Sequence, residues 1–380
     1  MDFSFTPEQE AFRKTVRDWA RTRVAPTFLE RSRLGEFPRD LYREMGELGL
    51  LGIGAPDEVG GQGADHVTIG IAGEEIAYAD FSVSFFALAG HSGSVLAELG
   101  SDYAKEWAAR ITSGDAVPCF GLTEPGTGSD LANIATRAEK TPGGWRITGE
   151  KSSISFAEAA DVAVVLTKVA EGDGGGSGIF IVPLDDPAIS RQRFDDPGFR
   201  CVGRGSLSFD GVVVPEEARL GTEGRGFQAI LELFDFTRSF IGLMCIGTAQ
   251  ASIDDAAEYA KVREAFGRPI AKFQGVAFPI AEHDSMLRAA RWISYEALWR
   301  RDQGLPHTKE AATAKWLGPK LAFDAAHEAV LLHGNVGYTT EAPFVQRMLD
   351  IMSCELGDGT AQIQKSIIAR EIMGREFRPY

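Results

Sequence analysis

Three short stretches of the chain combine residue types that can do chemistry. Gly121-Leu122-Thr123-Glu124-Pro125-Gly126-Thr127-Gly128-Ser129-Asp130 is a turn-rich loop. Its glycines let backbone N–H groups approach a ligand, and its hydroxyls can hydrogen-bond one. Arg263-Glu264-Ala265-Phe266-Gly267-Arg268 leads to Gln274, and by itself Arg263 reads as a solvated charge on a helix end. Gly357-Asp358-Gly359-Thr360-Ala361-Gln362 offers a carboxylate, though an Asp between two glycines is, taken alone, a turn residue. Two other glycine-rich segments carry less. Glu171 to Gly178, EGDGGGSG, suits a solvated hairpin loop better than a phosphate cradle, because neither a GK[ST] ending nor a following helix is present. Gly224-Arg225-Gly226-Phe227-Gln228-Ala229 matches a relaxed dinucleotide-binding pattern, but no second parallel strand follows to complete a βαβ unit, which excludes a Rossmann reading.

The elements that must position these residues change type twice along the chain. Thr6-Pro7-Glu8-Gln9 combines an N-cap, a first-turn proline and a capping-box glutamine, and Phe12, Val16, Trp19 and Val24 recur at helical spacing. Helical patterns continue around Asp40 to Leu48, Val67 to Ala79 and Ser92 to Ile111, so residues 1–115 read as a helical domain. Then Trp145 to Thr148, Val162 to Val169, Ile179 to Val182 and Ser206 to Val214 are short, β-branched and punctuated by Gly, Pro and Asp. Residues 116–222 therefore read as a β domain. From Phe227 no proline appears before Pro269, which allows one long helix to about Glu264, followed by helices over Gln274 to Asp302, Thr308 to Leu332 and Ala361 to Met373. The fold class is mainly α with a β domain, and residues 223–380 form the last, helical part.

Composition narrows the function classes. A chain of 380 residues with 44% hydrophobic and 24% charged residues has the balance of an ordinary globular protein of two or three domains. Lys and Arg number 39 against 54 Asp and Glu, and the net charge of −15 works against nucleic acid or an anionic membrane as a partner. No apolar run approaches the roughly 18 residues of a membrane span. The start, MDFSFTPEQEAFRK, reads neither as a secretory signal nor as a transit peptide, so a cytoplasmic protein is expected. Cys119, Cys201, Cys245 and Cys354 are too scattered for a zinc site or a disulfide framework.

The order of the three chemical segments, with GLLGIGAPDEVGGQG at residues 49–63 and His333-Gly334-Asn335-Val336-Gly337-Tyr338 near the end, resembles the acyl-CoA dehydrogenase family over essentially the whole chain. The resemblance implies an N-terminal helical domain, a middle β-barrel-like domain and a C-terminal four-helix bundle. It implies FAD extended between the last two and reaching a neighbouring subunit, hence a homotetramer, with electron-transferring flavoprotein as the electron acceptor. The positions matching flavin contacts are Leu122, Thr123, Gly128 and Ser129 in the loop, with Ser153 and Ser155 beyond it. Arg263, Phe266 and Gln274 match residues that reach the pyrophosphate and adenosine of the partner's FAD, a role suited to the planar fork of Arg. Leu331, Gly334 and Asn335 fall at further cofactor positions, although Leu331 replaces a usual Gln and Asn335 a Gly; Thr360 and Gln362 match the final cofactor contacts. Ser129, Asp235, Arg238, Gly357 and Gly359 match substrate contacts.

The family's reaction needs a carboxylate to take the α-proton of a thioester while hydride leaves the β-carbon. A base desolvated by its ligands has its pKa raised toward working pH, and hydrogen bonds to the thioester oxygen stabilise the enolate-like charge. The family's glutamate position is Asp358 here, and a second base position used by some members is Thr237, beside Arg238. Aspartate is one methylene shorter. The aromatic that usually precedes the base is Gly357, and a Trp commonly beside the flavin is Ser153. Three losses of bulk around one cavity point to a thick acyl group, and SISFAEAADVAVV with the Asp base resembles the alicyclic, cyclohexane-1-carboxyl-CoA branch. The alternatives are a short or branched-chain acyl group, a nitroalkane-oxidase-like flavin oxidase, and an inert flavin-binding relative. Fast reoxidation in air would mark the oxidase; FAD that no acyl-CoA bleaches would mark the inert protein.

Overall fold

The structure is a computed structural model that describes residues 4–99, 101–170, 175–221 and 226–377. The chain opens with α1 (Pro7–Trp19), whose N-cap Thr6 forms the expected capping box with Gln9. Six more helices follow: α2 (Phe28–Leu34), α3 (Arg39–Glu47), α4 (His66–Ala79), α5 (Phe81–Gly90), α6 (Ser92–Leu99) and α7 (Asp102–Thr112). The single helix expected over Ser92 to Ile111 is thus two, because Ser101 leaves helical geometry and its hydroxyl caps the Ala104 N–H to start α7 anew.

The middle strands are β1 (Pro118–Gly121), β2 (Arg137–Thr141), β3 (Gly144–Ile154), β4 (Val162–Val169), β5 (Ser177–Pro183), β6 (Ile189–Arg193), β7 (Gly205–Val214) and β8 (Arg219–Leu220). They form one sheet in the order β6-β7-β3-β2-β4-β5-β8, and β1 pairs with β4. β1 and β2 both run parallel to β4, whereas the β3–β7, β4–β5 and β6–β7 pairs are antiparallel. β4 has apolar residues on both faces because each face meets a different core. Ala163 and Val165 join one cluster, while Val162, Val164 and Leu166 join another that includes Trp107 and Ile111 of α7. The loop expected at Glu171 to Gly178 links β4 to β5 as a hairpin, but residues 171–174 lie outside the described ones, as do Gly224 and Arg225 of the rejected dinucleotide pattern.

The last part begins with α8 (Gly226–Val262), close to the expected long helix. A short hairpin, β9 (Glu264–Ala265) and β10 (Arg268–Pro269), leads into α9 (Gln274–Asp302), α10 (Thr308–His333), α11 (Phe344–Leu356) and α12 (Ala361–Met373). α8 and α10 cross at two glycines: a Cβ on Gly318 would lie 2.8 Å from the Gly242 Cα. α8 also presses on α4, where a Cβ on Gly73 would meet the Phe240 ring at 2.4 Å. These approaches fix α8 and, with it, the residues from Asp235 to Arg238.

Candidate active site

The loop after β1 is built around a buried ion pair that the sequence reading did not single out. Lys151 of β3 is wholly buried, and its Nζ donates to Glu124 Oε1 at 2.9 Å and to the Leu122 carbonyl at 3.0 Å. Glu124 also accepts from the backbone N–H groups of Ala135 (2.5 Å) and Thr136 (2.9 Å), closing the loop on itself. Burial alone would push the Glu124 carboxyl up. Its hydrogen bonds from Thr136, Ala135 and Lys151 outweigh that and hold it down to about 2, so it stays ionised. Residues 125–130 are held in place at both ends yet remain largely exposed. A Cβ at Gly126 or Gly128 would find no heavy atom within 4 Å, so these glycines are not required by packing and their backbone borders open space.

Ser153 and Ser155 lie beside this loop. The Ser152 N–H donates to the Thr123 carbonyl at 2.8 Å, and the β3–β7 register slips between Lys151 and Ile154. Ser153 sits in that irregularity at φ +57 and is exposed, one residue past the Ser152 N–H that holds the loop. Leu122, Thr123, Gly128, Ser129, Ser153 and Ser155 are thus one neighbourhood of hydroxyls and backbone N–H groups. Such a set fits FAD, whose ring and phosphates need donors and close backbone approach.

Asp358 lies in the turn between α11 and α12, half-buried, with φ +56, a left-handed conformation that Asp tolerates better than most residues. Gly357 caps α11 and Gly359 takes φ +86. A Cβ on Gly357, which is exposed, would meet nothing nearer than the Ser353 carbonyl oxygen at 3.6 Å, so packing does not require a glycine there. Thr237 of α8 donates its hydroxyl to Asp358 Oδ2 at 2.7 Å. Gln364, wholly buried on α12, donates to the carbonyls of Asp358 (3.2 Å) and Gly359 (3.1 Å). Lys315 of α10, 2% exposed, donates to the carbonyls of Cys354 (2.5 Å) and Gly359 (3.5 Å). Neither Gln364 nor Lys315 carries a signal in the sequence, since their partners are backbone atoms that only the fold brings near. On either side of Thr237 along α8, Asp235 accepts from the buried Arg238 at 2.7 Å and from Thr308 at 2.7 Å, while Arg238 Nε is buried with no hydrogen-bond partner among the described residues. Thr360 N-caps α12 and Gln362 is exposed on its first turn.

The remaining cofactor candidates gather elsewhere. Arg263 is exposed just past the end of α8, Phe266 at the tip of the β9–β10 hairpin is 96% exposed, and Gln274 begins α9. Leu331 is exposed on the last turn of α10, Gly334 ends that helix at φ +59, and Asn335 is exposed after it. This group sits at the C-terminal end of α8, far from Thr237: Thr237 and Val262 are 25 residues apart, about 38 Å at 1.5 Å per residue. One chain does not bring the two groups together.

Three family models match the chain: the acyl-CoA dehydrogenase N-terminal domain over residues 6–115, the middle domain over 119–212 and the C-terminal domain over 224–373. A probable acyl-CoA dehydrogenase of Bacillus subtilis is 35% identical over 98% of this chain and 100% of its own length. The mitochondrial short-chain specific acyl-CoA dehydrogenase of Mus musculus is 33% identical over 97% and 90%. Among solved structures, butyryl-CoA dehydrogenase from Megasphaera elsdenii superposes with a TM-score of 0.93 at 30% identity, covering 98% of this chain and 100% of that one.

Proposed function

Because the chain belongs to the acyl-CoA dehydrogenase family and is an FAD-dependent oxidoreductase, we propose that it converts a bulky or alicyclic acyl-CoA, such as cyclohexane-1-carboxyl-CoA, to the 2-enoyl-CoA. The observation that carries this reading is Asp358 on its two-glycine turn, a half-buried carboxylate held by Thr237, with no packing demand at Gly357. Bound FAD supplies the acceptor for the β-hydrogen as hydride. Asp358 takes the α-proton, and its carboxyl then holds that proton. Leu122, Thr123, Gly128, Ser129, Ser153, Ser155, Thr360 and Gln362 would hold the cofactor, and Arg263, Phe266, Gln274, Leu331, Gly334 and Asn335 would meet the FAD of a neighbouring subunit in a homotetramer. Ser129, Asp235, Arg238, Gly357 and Gly359 would line the acyl-CoA. Electrons pass on to an electron-transferring flavoprotein, the acceptor the family implies. The reading keeps the cytoplasmic setting expected from the sequence, which the four buried free cysteines suit.

In cyclohexane-1-carboxyl-CoA the α-carbon belongs to the ring and carries a third carbon substituent, so a base approaching its hydrogen needs more clearance than over a linear CH₂. A short base and an empty Gly357 position give that clearance. The short-chain specific relative and the butyryl-CoA dehydrogenase favour a second reading, a short straight or branched acyl group. Anaerobic flavin bleaching by cyclohexane-1-carboxyl-CoA and butyryl-CoA separates the two. Asp358→Asn should bind acyl-CoA yet reduce flavin at least about 10²-fold more slowly. Asp358→Glu should retain chemistry and penalise the cyclic substrate more than the linear one. Near-normal reduction in Asp358→Asn removes the base assignment, and equal losses on both substrates in Asp358→Glu remove the ring preference.

A further inference from the structure

We propose that Thr237 is the positioning residue of the base, its hydroxyl holding one carboxylate oxygen of Asp358 so that the other takes the α-proton. The inference rests on the reading of Asp358 as base. The backbone of residue 358 is already fixed: the buried Gln364 amide binds the carbonyls of Asp358 and Gly359, and the buried Lys315 ammonium binds those of Cys354 and Gly359. What stays undetermined is the rotation of the Asp358 side chain about its two χ angles. Among the described residues, the Thr237 hydroxyl is the one hydrogen-bond partner of that carboxylate, at Oδ2 and 2.7 Å.

Thr237 is well suited to the task. It stands on α8, which the Gly242–Gly318 and Gly73–Phe240 contacts hold in place. A hydroxyl has one proton to give, and the Thr237 oxygen lies 2.7 Å from the carboxylate and 3.2 Å from the Phe234 carbonyl. The shorter, charge-assisted bond to Asp358 is the stronger of the two. Donation to Oδ2 leaves Oδ1, among the described residues, as the carboxylate oxygen without a hydrogen-bond partner. The titratable and charged groups on the elements packed around this turn are Asp235 and Arg238 of α8, Lys315 of α10, Cys354 and Glu355 of α11 and Lys365 of α12. None of them is hydrogen-bonded to the Asp358 carboxylate among the described residues.

The test uses the FAD-loaded enzyme and compares Thr237→Val, Thr237→Ser and Asp358→Asn. The probes are cyclohexane-1-carboxyl-CoA and butyryl-CoA, with anaerobic flavin-reduction rates followed across pH and acyl-CoA affinity measured separately. Thr237→Val keeps the shape and removes the donor. Its plateau rate of reduction should fall about tenfold or more, the loss expected for a hydrogen bond to a charged group. Its affinity for acyl-CoA should stay unchanged, so that the loss falls on the rate of reduction and not on binding. Thr237→Ser should recover most of the rate. A Thr237→Val enzyme as fast as the parent at its plateau, or a serine variant as impaired as valine, overturns the positioning role while an inactive Asp358→Asn leaves the base standing. Full activity in Asp358→Asn instead removes the base assignment and the positioning role with it.

Discussion

Asp350 of α11 is a carboxylate with one satisfied oxygen. It is 1% exposed; Oδ1 accepts from the Phe199 N–H at 2.6 Å and from Gln346 at 2.7 Å, while Oδ2 is buried with no hydrogen-bond partner among the described residues. Burial, with Asp80 nearby, pushes its pKa up to about 7 against the pull of the Phe199 N–H. The folded-state value is raised above the unfolded one, so the folded protein binds this proton more tightly. The resulting stability is fully present below the ordinary carboxylate range and is lost as pH rises through about 7. Asp350→Asn keeps the Oδ1 acceptor and replaces a charge without a partner by a neutral amide. The variant should melt higher than the parent at about pH 8, by on the order of 1–2 kcal/mol, with the gap closing toward about pH 5. A difference that does not vary with pH would show that Asp350 does not titrate in that window. At this scale the sequence is legible for Asp358, whose turn lies within a six-residue motif. It is silent on Thr237 as that residue's partner, because 121 positions separate them and only the fold joins them.

Among elements, legibility follows how much of the stabilising surface is local. α1, with its capping box, and β4, with its run of β-branched residues, declare themselves over a few positions. α5 does not, since FSVSFFALAG is apolar and buried nearly all round and shows no period. α11 starts at Pro343 with no side-chain cap, so no start signal precedes it. β6 is ISRQR, mostly exposed and polar; it is a strand because β7 offers it a hydrogen-bonding edge. The α8–α10 crossing belongs to the same class of hidden feature. Gly242 and Gly318 are 76 residues apart and show their purpose only where a Cβ on Gly318 would strike the Gly242 backbone at 2.8 Å. Gly318→Ala gains helix propensity but must separate two helices that place Thr237 and Lys315. It should destabilise the protein by about 1–3 kcal/mol. Chemical denaturation measures this, and an alanine variant as stable as the parent would mean the crossing yields without cost.

For the whole molecule, the arrangement along α8 bears most directly on assembly. Thr237, which binds Asp358, lies inside a long helix and Arg263 lies just past its C-terminal end; the sequence made the length of that helix readable, since no proline interrupts residues 227–268. At the Arg263 end, Val262 is 76% exposed, Phe266 96%, Tyr338 77%, and Leu331 and Val336 58% each. Arg268 stacks over Phe273 at 4.2 Å, while the Arg263 guanidinium has no carboxylate partner among the described residues. An apolar patch edged by arginine, on a chain of net charge −15, suits a neighbouring subunit that brings an anionic group with it. On the proposed reading the pyrophosphate of that subunit's FAD is such a group, and the contact would form only in the assembled protein. Arg263→Ala should therefore weaken FAD retention about ten- to a hundredfold, the loss expected for charge-assisted hydrogen bonds, and move the protein to smaller species on gel filtration. Because Val262, next to Arg263, lies about 38 Å along α8 from Thr237, the partner of Asp358, the relative rates with cyclic and linear acyl-CoAs should not change. Flavin per chain and elution volume are read on the same sample: full FAD occupancy with an unchanged elution volume would free Arg263 from the role assigned to it, whereas loss of FAD from an intact oligomer would confine that role to the cofactor.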